Sequence, residues 1–500
     1  MMLSSLLVGL DATMHGPDVE IDAVTIDSRR VRAGVLFAAC RGATLRSRDG
    51  HDFVDAALAS GASAVLVDES RLPPGVSSRV PFVGARDTRV VAAHLAERVV
   101  SNPSRELDVI GITGTNGKTT VTYLVAEALR ALGQNAVVFG TLGVGAPDAP
   151  RPLGFTTPEA EVLSSTLRAL ADEGVRSVAM EVSSHALATA RVDGIRFRAA
   201  AFTNLSQDHL DFHANMAEYL KAKARLFDAL LDEHIPAVLP ARAVVVDGVT
   251  LARARGPTLT WGLGEGDVQA RDIEQSATGI RFALVSSGAR ALVTSRLVGA
   301  HNVENLVVAA AVLQTLGHAP ADIAKALGVA HGAPGRLERV ASVEGGPLVV
   351  VDYAHTPDAL ARVLDTMRAF TTGRLIVVFG CGGDRDRQKR PRMGAEAARR
   401  ADVVILTSDN PRSEDPGAIL DDIEPGVREQ GMSPLGAGTR GYERITDRAA
   451  AIARAIAIAE PHDVVLLAGK GHESTMTIGD AVLPFDDRKV AARALAGEAE

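Results

Sequence analysis

The chain has 500 residues, 46% of them apolar and 23% charged, with a formal net charge of −8. That balance describes a globular protein with room for about three domains, and it argues against a general nucleic-acid or membrane-surface binder without excluding local basic pockets. Two cysteines far apart, Cys40 and Cys381, rule out a disulfide framework and a cysteine zinc site, and with no leader-like start and no apolar run of about 18 residues the expectation is a cytoplasmic protein with no membrane anchor.

Residues 1 to about 100 alternate short apolar runs with helix-like segments. Residues 24–29 lead to the run 34–39, residues 53–59 read as a helix stopped by Gly61, and Ala64–Val67 reads as a buried strand. This predicts a small α/β unit. Ser28 and the loop 42–45 either bind a ligand or serve as turns between strands, and the pattern alone leaves both readings open. Ser101-Asn102-Pro103-Ser104 marks a linker.

The stretch Gly111-Ile112-Thr113-Gly114-Thr115-Asn116-Gly117-Lys118-Thr119-Thr120 follows an apolar strand at 107–113. Val121, Leu124, Val125, Ala128, Leu129 and Leu132 then recur at helical spacing up to Gly133. A strand, a glycine-rich turn and a helix N-terminus make a phosphate cradle. Backbone N–H groups turn inward, Lys118 adds a point charge and the Thr119 hydroxyl can hold Mg²⁺. Gly114-Thr115-Asn116-Gly117-Lys118-Thr119 is shorter than the usual spacing, but the reading is a nucleoside triphosphate site.

Further on, Phe155-Thr156-Thr157-Pro158-Glu159 is a loop before a helix, and the strand 177–181 ends in Glu181, a carboxylate placed to assist Mg²⁺. The dense polar run 203–213 follows the apolar strand Ala199–Phe202. Its His209 and His213 stand four apart, a spacing that on a helix suits a metal pair, but no Glu completes a metalloprotease motif. Residues 219–227 read as a helix on which composition alone leaves Lys223 at the surface. Asn302 and Asn305, near the start of a long alanine- and valine-rich helix, could reach a base or simply cap.

Beyond a boundary at 332–338, apolar strands at 348–351, 375–379, 403–407 and 464–468 each end in a polar or glycine-rich loop, at 352–357, 380–386, 408–412 and 469–473. Helix-like segments separate them, which predicts a doubly wound parallel sheet with ligands outside the strands' carboxyl ends.

Together these motifs resemble the Mur ligase family of ATP-dependent amide ligases. The matching stretches are 114–119, 156–159, 181–185, 203–213, 219–227, 334–338, 352–358, 380–386, 409–412 and 468–473, so the resemblance spans the chain. It implies an α/β protein of three domains: a small N-terminal UDP-substrate domain (1–102), a central P-loop-type ATPase domain (103–333) and a C-terminal Rossmann-like domain (334–500). Linkers near 103 and 333 imply hinge closure around the ligands. Asp409-Asn410-Pro411-Arg412 is similar to members that add meso-diaminopimelate to UDP-N-acetylmuramoyl-L-alanyl-D-glutamate through an acyl phosphate, in cytoplasmic peptidoglycan precursor synthesis.

The resemblance also implies site residues. ATP would meet Gly114, Thr115, Asn116, Gly117, Lys118, Thr119, Thr120, Asn302 and Arg336. Two Mg²⁺ ions would be held by Thr119, Glu181, His209 and a carbamate on Lys223, with Lys118, Glu181, His209 and Lys223 as the catalytic set. The UDP-muramoyl dipeptide would meet Ile26, Ser28, Ala43, Thr44, Leu45, Thr156, Thr157, Ser183 and Arg191. Diaminopimelate would meet Arg385, Asp409, Asn410, Pro411, Arg412, Gly469 and Glu473. The family pattern departs at Phe155 and Thr189, which puts those two contacts aside. The implied protein is a monomer that binds no nucleic acid. A folylpolyglutamate synthetase, a lysine-adding Mur ligase and a P-loop switch ATPase are the competing readings. The N-terminal domain argues against the first, Arg412 against the second and the four C-terminal loops against the third.

Overall fold

Uninterrupted apolar runs become parallel strands because a strand covered on both faces has no polar side to alternate with. The computed structural model describes residues 1–42, 47–72, 76, 79–210, 212–251, 255–276, 279–340, 346–436 and 438–498. They form two compact units. One comprises Met1–Arg271, Ala283–Ala291 and Glu304–Leu327, and the other Asp272–Phe282, Leu292–Val303 and Gly328–Glu500. Among the described residues no helix is long and apolar enough to cross a membrane.

Among the described residues the first unit holds a two-stranded ribbon, Val245–Val246 with Val249–Thr250, and strands of two larger sheets. The N-terminal one has the order Ala12–His15, Phe82–Ala85, Ala64–Val67, Val35–Ala38, Ala23–Thr25, parallel except for the first pair. The helix Thr88–Val99, capped by Asp87, packs one flank of this sheet.

In the central sheet the strand Asp108–Thr113 lies between Ser177–Glu181 and Ala199–Phe202, parallel to both, with Ile112 opposite Glu181 and Thr113 opposite Phe202. That register decides the site. The glycine-rich loop, the carboxylate of Glu181 and the polar run from Thr203 all leave the sheet at one edge. The helix Lys118–Ala131 follows the loop, and Gly133, at φ +85, stands just beyond its end. The His209/His213 spacing does not fall on a helix: His209 takes φ +53, and residues 209, 210, 212 and 213 all lie outside any helix. The next helix starts at Met216, capped by the Asn215 side chain on Glu218 N, and runs to Arg225.

In the second unit the sheet order is Glu338–Arg339, Leu348–Asp352, Val464–Ala468, Leu375–Phe379, Val403–Leu406, Gly441–Arg444, parallel after the first pair. Amphipathic helices such as Pro357–Arg368 and Pro416–Glu429 cover it. All four polar loops leave the carboxyl ends of parallel strands, where doubly wound sheets bind ligands.

Candidate active site

The phosphate loop is laced from the neighbouring strand. Thr203 Oγ1 donates to the Asn116 carbonyl at 2.6 Å, Asn116 N donates to Asn204 Oδ1 at 2.9 Å, and Thr115 Oγ1 donates to the Ser206 carbonyl at 3.1 Å. Gly117 has φ +81, and an added Cβ would run into the Asn305 side-chain oxygen, so only glycine lets the loop pass there. Lys118 Nζ donates back to the carbonyls of Gly114 at 3.0 Å and Thr115 at 2.8 Å. Thr119 and Thr120 are buried in the first turn of the helix.

Glu181 is 1% exposed. Its Oε2 accepts from Thr119 Oγ1 at 3.0 Å and from Thr141 Oγ1 at 3.2 Å, and its Oε1 from Thr141 N at 2.8 Å. No ion pair neutralises it among the described residues. A buried carboxylate given only neutral donors is costly until a cation joins it. Hydroxyl and carboxylate oxygens are the ligands hard divalent cations take, so this donor set fits Mg²⁺. Thr141 escaped the sequence reading; its signal is a hydroxyl immediately after the apolar strand Ala136–Gly140.

Lys223 overturns the surface reading. It falls on the stripe Tyr219, Leu220, Lys223, Ala224 that its helix buries, and is itself 1% exposed. Its Nζ donates to the Gly114 carbonyl at 2.7 Å and lies 4.4 Å from the centre of the Tyr219 ring. Burial, and after it the repulsion of Lys118, holds its ammonium well below the ordinary lysine range, with Asp208 pulling the other way. His209 sits in the turn beside it in sequence, its Nε2 at 3.5 Å from Asp208 and its ring 4.9 Å from that of His185 and 6.0 Å from Tyr219.

The residues expected around the UDP-sugar dipeptide fall in two groups. Thr157 Oγ1 donates to the Glu181 carbonyl at 2.9 Å and accepts from Ser183 N at 3.3 Å, Arg191 Nη1 donates to the Thr157 carbonyl at 3.0 Å, and Thr156 Oγ1 lies 3.1 Å from Thr141 Oγ1. These four therefore adjoin Glu181. Ile26 lines a cleft with Arg89, Glu159, Glu161 and Arg191, and Arg89 bridges to Glu159 at 3.5 Å. Ser28 opens a short helical turn capped by Asp27. Ala43, Thr44 and Leu45 lie outside the described residues.

In the second unit, Asn410 Nδ2 donates to Glu473 Oε2 at 2.8 Å, while Asn410 Oδ1 accepts from Thr477 N at 3.0 Å and Lys470 Nζ at 3.2 Å. The amide oxygen is thus engaged twice, which leaves the amide nitrogen as the group Asn410 can turn toward a ligand. Lys470, fully buried, also donates to Glu473 Oε2 at 3.1 Å and stands 3.9 Å from Asp409. Burial pushes the Asp409 carboxyl up, with Arg448 and Lys470 opposing. Gly469, at φ +113, passes close to Asp409. Arg412 Nη1 donates to the Gly383 carbonyl at 2.8 Å, and exposed Arg385 carries no hydrogen bond or ion pair among the described residues. Pro411 precedes Arg412, whose φ is +51.

Behind these loops lies a buried ion pair that sequence reasoning missed. Arg448 Nε and Nη2 donate to Asp487 at 2.7 and 2.6 Å, and Nη1 and Nη2 also reach the carbonyls of Ser408 at 3.1 Å and Ala468 at 3.0 Å. Asn302 Nδ2 donates to the Val298 carbonyl at 2.7 Å, and Arg336 lies 4.9 Å over the Tyr353 ring.

Family models match along the chain: the Mur ligase family catalytic domain over 20–100, the Mur ligase middle domain over 112–313, and the Mur ligase glutamate ligase domain over 335–471. A UDP-N-acetylmuramoyl-L-alanyl-D-glutamate–2,6-diaminopimelate ligase of Geobacillus thermodenitrificans is 44% identical over 487 residues, 96% of each chain. The chain belongs to the Mur ligase family. The Geobacter metallireducens ligase of the same name is 43% identical, covering 95% of this chain and 94% of its own. A solved structure of a ligase with that name aligns with a TM-score of 0.70 at 34% identity over 95% of each chain. In Mur ligase terms, the middle domain carries the phosphate loop, Glu181 and Lys223, and the glutamate ligase domain carries Arg385, residues 409–412 and Lys470.

Proposed function

We propose that this Mur ligase joins meso-2,6-diaminopimelate to the D-glutamyl γ-carboxylate of UDP-N-acetylmuramoyl-L-alanyl-D-glutamate, converting ATP to ADP and phosphate. The observation that carries the reading is the loop cluster of the second unit. Arg385 is unengaged, Arg412 projects from the next loop, and Glu473 and Asp409 stand beside them, a set suited to a zwitterionic end with one carboxylate and one ammonium. L-lysine lacks the second carboxylate and would leave an arginine without its partner, which is a strong filter.

Carboxylate oxygen is a poor leaving group, so the acid must first be activated. In this reading the γ-carboxylate attacks the γ-phosphorus of ATP, the bond to the ADP oxygen breaks, and an acyl phosphate forms. The amine then attacks the acyl carbon, phosphate departs, and the amine nitrogen loses a proton. Lys118 exchanges its two loop carbonyls for phosphate oxygens when ATP enters, and the N-terminal amides of the helix Lys118–Ala131 face the same charge. Two Mg²⁺ ions, one held by Thr119 and Glu181 and one by His209 and a carbamate on Lys223, would offset the charge of the transferring phosphoryl group. Forming that carbamate needs a neutral amine to attack CO₂ and release a proton, and the burial of Lys223 favours that neutral form. Thr156, Thr157, Ser183 and Arg191 hold the dipeptide end beside Glu181, while Ile26, Ser28 and residues 43–45 meet the UDP end. The reading also assigns Asn302 and Arg336 to ATP binding, and Asn410, Pro411 and Gly469 to the amino-acid site.

The reading includes a cytoplasmic monomer with domain boundaries at 102/103 and 333/334, supported by the spans of the three family models. Its test is phosphate release with ATP, Mg²⁺ and the UDP-muramoyl dipeptide, with meso-diaminopimelate and L-lysine in separate tubes. Release with diaminopimelate alone is expected. Release with lysine alone overturns the specificity, and no release from folded protein overturns the ligase.

A further inference from the structure

Four arginines crowd the loops that would read the amino acid, yet a carboxylate needs only one or two of them. Arg385 and Arg387 lie on the loop after Leu375–Phe379, Arg390 opens the helix Lys389–Arg400, and Arg412 lies on the loop after Val403–Leu406. One side chain sorts them. Glu414 Oε1 accepts from Arg390 Nη2 at 2.9 Å and from Asp384 N at 2.6 Å, and its Oε2 accepts from Arg387 Nη2 at 2.7 Å and Arg390 Nη1 at 3.0 Å. Arg390 is fully buried, and it also reaches Asp422 at 2.8 Å and the Gly382 carbonyl at 3.3 Å. Of the four, Arg387 and Arg390 are therefore held by Glu414, Arg412 is half engaged, and Arg385 is free.

The same carboxylate fixes the distance between the two reading loops. They run in backbone contact: Gly383 N donates to the Asn410 carbonyl at 2.9 Å, and an added Cβ at Gly383 would overlap the Pro411 carbonyl. Ser413 Oγ closes on Asp384 at 2.7 Å. The donors around Glu414, Arg390 first, hold its carboxyl down to about 2, so it stays ionised throughout the working range of the enzyme.

We propose that Glu414 is a positioning and specificity-determining residue: by engaging Arg387 and Arg390 and tying the two loops together, it leaves Arg385 and Arg412 as the only guanidinium groups that read the incoming amino acid's distal carboxylate. The proposal rests on the amino-acid site described above. Without Glu414, the exposed Arg387 becomes a third competing cation and the spacing between Arg385 and Arg412 relaxes.

The test is steady-state phosphate release by the full chain with Glu414→Gln, which keeps the shape and removes the charge. The KM for diaminopimelate should rise about tenfold, with kcat at saturation within about twofold and the KM values for ATP and the UDP-muramoyl dipeptide unchanged. The preference for diaminopimelate over L-lysine should fall by a similar factor. An unchanged KM for diaminopimelate, or a common rise in all three KM values, overturns the proposal, the latter marking a merely structural role. If Glu414→Gln does not fold, Arg387→Gln at a mostly exposed side chain carries the test. A rise of about threefold in the same KM alone is expected, and no rise overturns the proposal. Wild-type protein that ignores diaminopimelate altogether would instead remove the underlying reading of the site.

Discussion

Asp487→Asn keeps the shape of a side chain that is completely buried and removes the only full counter-charge bonded to Arg448 among the described residues, Arg448 itself being completely buried. Breaking a buried pair from one side leaves an uncompensated charge and costs about 3–5 kcal/mol. For a unit of this size, about 2–4 °C accompanies each kcal/mol, so the transition that reports the second unit should fall by roughly 6–20 °C. Thermal unfolding followed by calorimetry on the full chain resolves that transition from the other unit's. The double variant Arg448→Met, Asp487→Leu discards both charges, and most of the lost stability should return.

Function should separate from stability in that double variant. The carbonyls of Ser408 and Ala468 lose their guanidinium donor, and these residues begin the loops that carry Asn410 and Gly469. Amino-acid KM should therefore stay elevated, by about tenfold, while ATP KM does not move. A loss below about 1 kcal/mol in Asp487→Asn would refute the assignment of an electrostatic core. So would a double variant no more stable than the single, or one with an unchanged amino-acid KM, which would show that the pair does not position the loops.

Lys223→Ala should lower kcat by about 10²–10³-fold, the scale of removing one electrostatic stabiliser. Depleting bicarbonate should lower wild-type activity reversibly, and indifference to both treatments excludes the carbamate. Arg412→Lys replaces a fork with a point charge and should raise the diaminopimelate KM by roughly 10–100-fold with little change for the other substrates; an unchanged amino-acid preference removes Arg412 from the site. His472 is held down to about 4, chiefly by burial and then by Arg336, so between pH 6.5 and 4 the unfolded chain takes the proton first. Its contribution to stability is full above pH 6.5 and is lost as pH falls toward 4. Melting temperatures measured across that window should show a slope that His472→Gln flattens, and an equal slope in both proteins counts against it.

Much of this architecture was legible because parallel strands buried on both faces write themselves as apolar runs, and the loops that follow them carry glycine, hydroxyls and charges. The phosphate loop, Glu181 and the four C-terminal loops were all visible in that way. Lys223 was not, since composition sends lysine to water. Its position three and four residues after Leu220 and Tyr219 on a buried stripe was the available signal. The spacing of His209 and His213 left open whether they share a helix, and the left-handed backbone at His209 is a feature that only the fold fixes.

The groups that escaped altogether share a cause. Arg448 with Asp487 and Arg390 with Glu414 join residues that sequence separates and that a composition rule assigns to the surface. A loop that leaves a sheet to meet a ligand also leaves the hydrogen-bond ladder, and its buried polar groups need partners from elsewhere. Arg448 serves two such carbonyls, and the Asp352 carboxylate serves Leu337 N and Ala354 N, each at 2.8 Å. These partners come from different elements, since Arg448 opens the helix Arg448–Ile458 and Asp352 ends the strand Leu348–Asp352. Motif spacing marks the residues that face the ligand, while the groups that hold them in place follow from the three-dimensional path of the backbone.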